Sequence, residues 1–178
     1  MRRSVVAPNK LPVRKLVLPS ALIGQKNGEL DPTLLHDIKP GGKLFTTAAI
    51  AWDAMKRAAK QDGIVLKPTS SFDAYRPYSV QRAVFEQRYT RDLLEGRPSR
   101  TWNGVTYYLK PGLAMVAAPG TSNHGWGLAV DIWNVSQNGR LEWLLANYAA
   151  YGWSHEVQSE PWHIRYTLGD KLPAGIAV

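Results

Sequence analysis

The sequence contains no cysteine among its 178 residues. Disulfides, thiolate metal sites and cysteine nucleophiles are therefore excluded, and any metal ion must be held by histidine, aspartate or glutamate. Long apolar runs are also missing, since no stretch approaches the roughly 18 to 20 residues that cross a membrane. The sequence thus predicts a chain without a membrane-inserted segment, in which the four histidines are the first candidates for metal ligands.

Acidic residues are few. Lys and Arg number 22 against 14 Asp and Glu, which gives a formal net charge of +8. Such a chain is attracted to anionic polymers, and nucleic acid and bacterial cell wall are both candidates. Nucleic-acid binding is the weaker hypothesis, because the basic residues are dispersed and form no recognition motif. We therefore expect no nucleic-acid partner. The seven Trp and eight Tyr residues suit stacking on sugars, although packing in the core is the simpler interpretation.

The N-terminal quarter of the chain differs from the rest. Residues 1–43 are rich in Pro and Gly and show little periodicity. This composition predicts an extended arm that packs on a domain formed by residues 44–178, with Leu16, Val17 and Leu18 as the contacts. The length suits one domain of this size, and we expect a monomer.

Apolar residues recur at helical or strand spacing in several segments. Three helices are predicted, over residues 46–63, 79–96 and 140–152. Strands are predicted over residues 64–72, 105–109, 127–133 and 162–168. Helices and strands do not alternate regularly, so a parallel βαβ sheet is disfavoured. The prediction is an α+β domain with a small, mostly antiparallel sheet flanked by about three helices.

An aspartate stands inside an apolar strand, which is costly unless something pairs with it. In GLAVDIW, Asp131 faces away from Val130 and Ile132, and in WHIRYTL the alternation gives His163 the equivalent face. His124 lies in a loop ahead of the first strand. Two imidazoles and one carboxylate form a common catalytic zinc set, so these three side chains are the predicted metal ligands. An ion pair of the aspartate with Arg165 is the simpler alternative.

A second carboxylate lies close to the predicted metal site in sequence. Glu160 precedes His163 by three residues, and a carboxylate beside a catalytic metal can accept a proton from water. Positions three apart on a regular strand face opposite sides, so a bend is required. Pro161 disfavours regular geometry for the residue before it and could supply that bend. Trp162 is expected to pack beneath the site.

These segments resemble the signatures of the D-alanyl-D-alanine carboxypeptidase family. That family includes VanY-type carboxypeptidases and phage L-alanyl-D-glutamate endolysins, and hedgehog signalling domains share its fold. The resemblance runs from about residue 44 to about residue 168. Three motifs carry it: S-x-H-x-x-G-x-A-x-D at residues 122–131, E-P-W-H at residues 160–163, and Y-R-x-x-x-x-Q at residues 75–81. The family often has Gly before Tyr-Arg, where this chain has Ala74.

The resemblance implies a role for each matching residue. His124, Asp131 and His163 would bind zinc, and Glu160 would be the catalytic base. Arg76 would hold a substrate carboxylate or the developing oxyanion, since a guanidinium is always charged and binds carboxylates in a forked geometry. Ser122 and Gln81 would hydrogen-bond the substrate, or else only stabilise the loops around the site. His155 is interpreted as a solvated or outer-sphere histidine, and His36 as a surface residue.

The implied activity is zinc-dependent hydrolysis of peptide bonds in peptidoglycan stem peptides. Whether the enzyme removes a terminal residue or cuts inside the peptide is left open, as is the role of residues 97–121, which could wall off or line the cleft. The basic N-terminus has no sustained apolar segment and is interrupted by prolines, so we expect no signal peptide. That expectation favours a phage-encoded endolysin released from the host cytoplasm. The alternative function is a non-catalytic zinc-binding interaction domain of the same fold.

Overall fold

A computed structural model describes residues 10–176 of the chain. The first nine residues of the predicted arm, and the last two of the predicted domain, lie outside the described residues. Three α-helices are formed: α1 Thr46–Gln61, α2 Tyr78–Arg88 and α3 Arg140–Asn147. No helix in the described part of the chain is long and apolar enough to cross a membrane.

Eight short strands form three separate antiparallel sheets in the described residues. Their bounds are β1 Leu35–Asp37, β2 Lys43–Phe45, β3 Tyr89–Thr90, β4 Ser99–Trp102, β5 Val105–Leu109, β6 Ala129–Asp131, β7 Trp153–His155 and β8 His163–Tyr166. The first sheet is the hairpin β1–β2, and the others have the strand orders β3-β5-β4 and β6-β8-β7. The predicted α+β class is confirmed, although the strands are divided among three small sheets.

The second helix is shorter than the sequence predicts. It ends at Arg88 instead of residue 96, because the chain continues as β3 and pairs Tyr89 with Leu109 of β5. Tyr89 still stacks on Phe85, with ring centroids 4.6 Å apart. The spacing of four residues between these two aromatics is typical of a helix, which is why the sequence predicts a longer one. The helix ends at Arg88 because Tyr89 pairs with Leu109 of β5, which is distant in sequence.

The strand predicted over residues 64–72 is wrong as a regular element. Thr69 N donates to Asp131 O and Trp133 N donates to Lys67 O, so the segment does run beside β6. Pro68, which lies between these two contacts, has no N–H and forms only an isolated bridge to Ile132. Ser71–Asp73 then forms a 3₁₀ turn, which carries the chain toward α2.

The main hydrophobic core joins α1, α3 and the β6-β8-β7 sheet. Trp52 of α1 and Trp153 of β7 meet edge to face at 5.8 Å, and both are fully buried. A smaller cluster around Phe85 and Tyr107 joins α2 to the sheet β3-β5-β4. The predicted functional residues lie around the sheet β6-β8-β7, since Asp131 ends β6 and His163 begins β8.

The arm runs along the edge of the same sheet. Val17 N donates to Thr167 O, and Arg14 N donates to the hydroxyl of Ser154 in β7. Leu16 packs against the main core, whereas Val17 and Leu18 are exposed. Further along, three apolar residues of this part of the chain are buried in the core: Leu22, Leu30 and Ile38.

Candidate metal centre

Sheet register brings the aspartate and one histidine together. In the antiparallel pair β6–β8, Asp131 lies directly opposite His163, so both side chains point to the same face. The Asp131 Oδ1 to His163 Nδ1 distance is 2.8 Å, and His124 Nε2 lies 3.2 Å from Asp131 Oδ2. Side chains from positions 124, 131 and 163 therefore converge on one point. For Asp131 and His163 this is the shared face that the strand alternation predicts.

His124 is held by the loop before β6. The 3₁₀ turn Asn123–Trp126 is capped by Ser122, whose hydroxyl accepts from His124 N at 3.2 Å. His124 Nδ1 lies 2.8 Å from the carbonyl oxygen of Ala74. Because a carbonyl only accepts, Nδ1 carries the proton and the lone pair of Nε2 faces the site. This is the tautomer that a metal ligand requires.

The donor set fits a divalent metal. Ligand atoms of His124, Asp131 and His163 all lie within 4.8 Å of one another, so each can reach a shared ion at the usual distance of about 2.0–2.2 Å. Burial raises the pKa of Asp131, but hydrogen bonds and charge from the two histidines outweigh it and hold the pKa well below its ordinary value. The ionised form of Asp131, which is the form that binds a metal, is therefore favoured.

His163 contacts a second carboxylate that the sequence reasoning missed. Its Nε2 lies 2.8 Å from Glu156 Oε2, while Nδ1 faces Asp131. Burial lowers the pKa of His163, but the two carboxylates raise it to about 9. Burial raises the pKa of Glu156, yet the hydrogen bonds from His163 and Asn123 bring it down to about 2. In the sequence, the one signal for Glu156 is its position in the motif Ser-His-Glu at residues 154–156, where the histidine is the more obvious candidate for a ligand.

Glu160 reaches the site through a turn. His163 N donates to Glu160 O at 3.0 Å, with Pro161 at the second position of the turn, where proline is favoured. Burial raises the pKa of the half-buried Glu160 carboxyl, His163 lowers it, and the charges of Asp131 and Glu156 raise it further. The net result is a pKa above the ordinary value for glutamate.

Arg76 also lies at the metal centre. Its backbone N donates to His124 O at 3.0 Å. Its guanidinium is positioned by Phe72 O, at 3.0 Å from Nε, and by Asp73 Oδ1, at 3.1 Å from Nη2. The same Nη2 is 3.6 Å from Asp131 Oδ2. A fixed positive charge therefore stands beside the predicted ligands.

Gln81 and Ser122 are engaged within the protein. Gln81 is buried, and it donates to Asn27 Oδ1 and Arg76 O while accepting from Gly120 N. Ser122 caps the turn that carries His124. These contacts favour the loop-stabilising alternative for both residues over direct contact with substrate.

His155 is not solvated, which excludes one of the two alternatives given from the sequence and leaves the outer-sphere one. It is fully buried, and its Nε2 donates to Pro161 O at 2.9 Å while Nδ1 accepts from the hydroxyl of Tyr148 at 3.0 Å. Burial lowers the pKa of this imidazole. His155 thus holds the turn that presents Glu160. His36 is exposed on β1, as predicted.

A cleft of ≈ 520 Å³ opens beside Asp131. Its walls come from Thr69, Asp73, residues 131–137 and Trp162. The expectation that Trp162 packs beneath the site is wrong, because the side chain is 41% exposed and stands in the cleft wall. Within the described residues, none of the segment 97–121 lines this cleft; its strands β4 and β5 pack on α2 instead.

Fold and site together define an α+β protein with a buried His–Asp–His centre, a neighbouring glutamate and a fixed arginine, an arrangement typical of metal-dependent hydrolases. A family model described as VanY: D-alanyl-D-alanine carboxypeptidase matches residues 42–170. The chain belongs to this family and is a VanY-type peptidoglycan peptidase. The family predicted from the three motifs is therefore confirmed.

Solved structures share the fold at low sequence identity. A vancomycin resistance D,D-pentapeptidase VanY in complex with Zn(II) is 23% identical, with a TM-score of 0.53 over 74% of this chain and 77% of that chain. VanYB in complex with D-alanine-D-alanine is also 23% identical, with a TM-score of 0.54 over 75% and 76%. The LdcB LD-carboxypeptidase is 24% identical, with a TM-score of 0.54 over 81% and 72%. Among curated protein sequences, none matches the chain significantly.

Proposed function

We propose that this protein is a zinc-dependent carboxypeptidase that removes the C-terminal residue of peptidoglycan stem peptides. The observation that carries the proposal is the convergence of His124, Asp131 and His163, with Arg76 and Glu160 at the same centre. Two imidazoles and a carboxylate leave a further coordination position for chemistry, as catalytic zinc sites require.

Zinc is the proposed ion because the donors are nitrogen and oxygen atoms in a three-residue set. The VanY structure that shares this fold contains Zn(II), which supports the choice. When bound, the ion would supply a Lewis acid that polarises the scissile carbonyl and makes water easier to deprotonate. In this proposal His124, Asp131 and His163 hold it.

Glu160 is the proposed general base. Its carboxyl bonds to no other side chain among the contacts of the described residues, so it is available to a water molecule. Its pKa is raised by burial, and a base whose pKa lies nearer the working pH can both take and return a proton. Glu160 would accept a proton from water during attack and deliver it to the leaving amine. His155, through Pro161 O, holds the turn that presents this carboxyl.

Arg76 is the proposed contact for the terminal carboxylate of the substrate or for the oxyanion that develops at the carbonyl. Asp73 and Phe72 O occupy one side of its guanidinium. Within residues 10–176 the remaining donors form no hydrogen bond, although Asp131 lies 3.6 Å from Nη2, so they can bind an anion in a forked geometry. Recognition of a free carboxylate is what distinguishes removal of a terminal residue from cleavage within a peptide. The position of Arg76 therefore favours the carboxypeptidase over the L-alanyl-D-glutamate endopeptidase.

The decisive experiment is mass spectrometry of muropeptides after digestion with the zinc-loaded protein. Loss of one terminal D-alanine from a pentapeptide is the expected result. A new N-terminal D-glutamate would instead identify an endopeptidase and support the endolysin hypothesis. No cleavage of any muropeptide by protein that retains zinc would support the non-catalytic binding domain.

Two glutamate variants separate chemistry from folding. Glu160→Gln should abolish turnover while zinc content and melting temperature remain near those of the wild type. Glu142→Gln is the matched control, because Glu142 is an exposed residue of α3. Full activity of Glu160→Gln on purified cell wall would show that the base is assigned wrongly.

A further inference from the structure

We propose that Glu156 is a positioning residue that orients His163 toward the metal ion. The inference rests on the proposed metal centre, and it concerns a residue outside the three motifs that the sequence resemblance covers. Glu156 follows β7 directly and is half-buried. It is not among the residues that line the cleft, so it acts through the imidazole that it holds.

Both oxygens of Glu156 are engaged. Oε2 accepts from His163 Nε2 at 2.8 Å. Oε1 accepts from Asn123 Nδ2 at 2.8 Å and from Arg165 Nη1 at 3.0 Å. These three contacts fix the orientation of the carboxylate, and it keeps a proton on Nε2 of His163. With Nε2 protonated, the nitrogen that remains for a metal is Nδ1, which faces Asp131.

Glu156 also connects the two histidine ligands. Asn123 immediately precedes His124 in the 3₁₀ turn, and His163 begins β8. A single carboxylate thus bonds to the turn that carries one ligand and to the ring of the other. Hydrogen bonds to the non-ligating nitrogen of a histidine fix its tautomer and ring orientation, and losing them typically weakens metal binding by about 10–100-fold.

The N-terminal arm extends this network. Arg165 donates through Nη1 to Glu156 and through Nη2 to Arg14 O. The backbone of Arg14 is in turn held by Ser154 of β7. The arm therefore helps to fix the position of the Arg165 guanidinium, which in turn holds the Glu156 carboxylate. Arg14 itself lies outside residues 42–170, which the family model matches.

Glutamine cannot replace the carboxylate here. If its oxygen faced His163, its NH₂ group would face the two donors Asn123 and Arg165, and no acceptor would remain for them. If its NH₂ group faced His163, Nε2 would have to accept, and Nδ1 would carry the proton and lose its lone pair for the metal. Either orientation loses hydrogen bonds that the carboxylate makes or the lone pair on Nδ1 of His163. Glu156→Gln therefore tests the positioning role, although glutamine has nearly the same shape as glutamate.

The test compares zinc affinity in the wild type, Glu156→Gln and Glu86→Gln. Glu86 is the matched control, because it is also a glutamate paired with an arginine, Arg82, but it lies on the exposed face of α2. The dissociation constant for Zn²⁺ is measured by competition with a chromogenic chelator, and Co²⁺ absorption reports the ligand geometry. We expect Glu156→Gln to weaken zinc binding by about 10–100-fold, with an altered Co²⁺ spectrum, and Glu86→Gln to match the wild type.

A merely structural role predicts a different pattern. In that case Glu156→Gln lowers the melting temperature of the metal-free protein but binds zinc as tightly as the wild type, and this result overturns the proposal. If Glu156→Gln does not fold, Asn123→Ala decides, since it keeps the carboxylate and removes one donor. It should weaken zinc binding by roughly 2- to 10-fold, and an unchanged affinity refutes the proposal.

Failure of the proposed function gives a separate result. Wild-type protein that binds zinc but cleaves no muropeptide removes the carboxypeptidase proposal and leaves the role of Glu156 intact. Wild-type protein that binds no zinc removes the metal centre, and the role of Glu156 is then refuted with it.

Discussion

His163 is the residue on which most of the electrostatics of the centre converges. It lies between Asp131 and Glu156, one carboxylate at each ring nitrogen. Both carboxylates favour the protonated ring and raise its pKa to about 9. A metal at Nδ1 replaces a proton, so metal binding and protonation compete for this residue.

The stability of the metal-free protein should therefore fall as the pH rises from about 6.5 to about 9. The pKa of His163 is higher in the folded than in the unfolded state, so its contribution is complete below the unfolded value and is lost as the pH passes the folded one. Thermal unfolding of chelator-treated protein across this range measures the effect.

Saturating zinc should reverse the slope of stability against pH, because the ion displaces the proton. His36→Gln is the control, since His36 is exposed. A flat profile for the metal-free protein would contradict the charged state of His163.

Arg76 allows a test of substrate recognition at the same scale. Arg76→Lys keeps a positive charge but removes the forked donor set, so kcat/KM on a peptide with a free C-terminal carboxylate should fall by about 10²–10³. The loss should be much smaller on the same peptide with an amidated C-terminus, which the wild type itself cleaves poorly. Arg57→Lys, on the exposed face of α1, is the control. Equal losses on the two peptides would assign Arg76 to the oxyanion instead of the carboxylate.

At the scale of elements, the joint between the 3₁₀ turn Asn123–Trp126 and β6 determines where His124 lies. Gly127 ends the turn with φ +65°, and a Cβ there would lie 2.7 Å from Phe45 N. Gly127 O accepts from that same N at 2.9 Å. The turn is therefore pressed against the start of α1, and only glycine permits both the conformation and the contact.

Gly127→Ala should destabilise the protein by more than about 2 kcal/mol, because left-handed strain and a backbone clash add. Gly63→Ala is the matched control: Gly63 has φ +77° but open space around it, so that variant measures the conformational strain alone, roughly 1 kcal/mol. Denaturant unfolding gives both values. Zinc affinity should fall for Gly127→Ala only. Equal destabilisation by the two variants would show that the contact with α1 has no cost.

Element boundaries also show where sequence patterns are sufficient. α1 lies where the periodicity places it, at Thr46–Gln61, because its apolar stripe packs on the core over the whole length. α2 ends before residue 96 because Tyr89 pairs with Leu109. This partner is twenty residues away, and helical periodicity contains no information about it. Residues 64–72 fail as a strand because Pro68 interrupts the ladder with β6.

At the scale of the whole molecule, the arm connects the N-terminal part of the chain to the metal centre. Its backbone bonds to both β7 and the residues after β8, and Arg14 O holds Arg165. We therefore propose that the arm is part of the functional unit, even though the family model begins at residue 42.

Removal of residues 1–18 should lower the melting temperature by several degrees and weaken zinc binding, because Arg165 loses a partner and the edge of β7 is uncovered. A second truncation that removes residues 1–9 alone is the reference, so that the difference between the two reports only residues 10–18. Calorimetry and chelator competition provide the two measurements. Identical values for the two truncations would show that the arm has no influence on the centre.

The sequence alone determined the fold class and the family, and it singled out three of the side chains that meet at the centre, because strand alternation and the spacing of a few rare side chains are local properties. His124, Asp131 and His163 could be singled out since only four histidines exist and a strand aspartate needs a partner. Tertiary structure alone decided what surrounds them. How β7, β8 and the arm pack together determines the Glu156 network, the burial of His155 and the exposure of Trp162. Hydrogen bonds between segments so distant in the chain produce no periodic pattern in the sequence, so the sequence alone does not predict them.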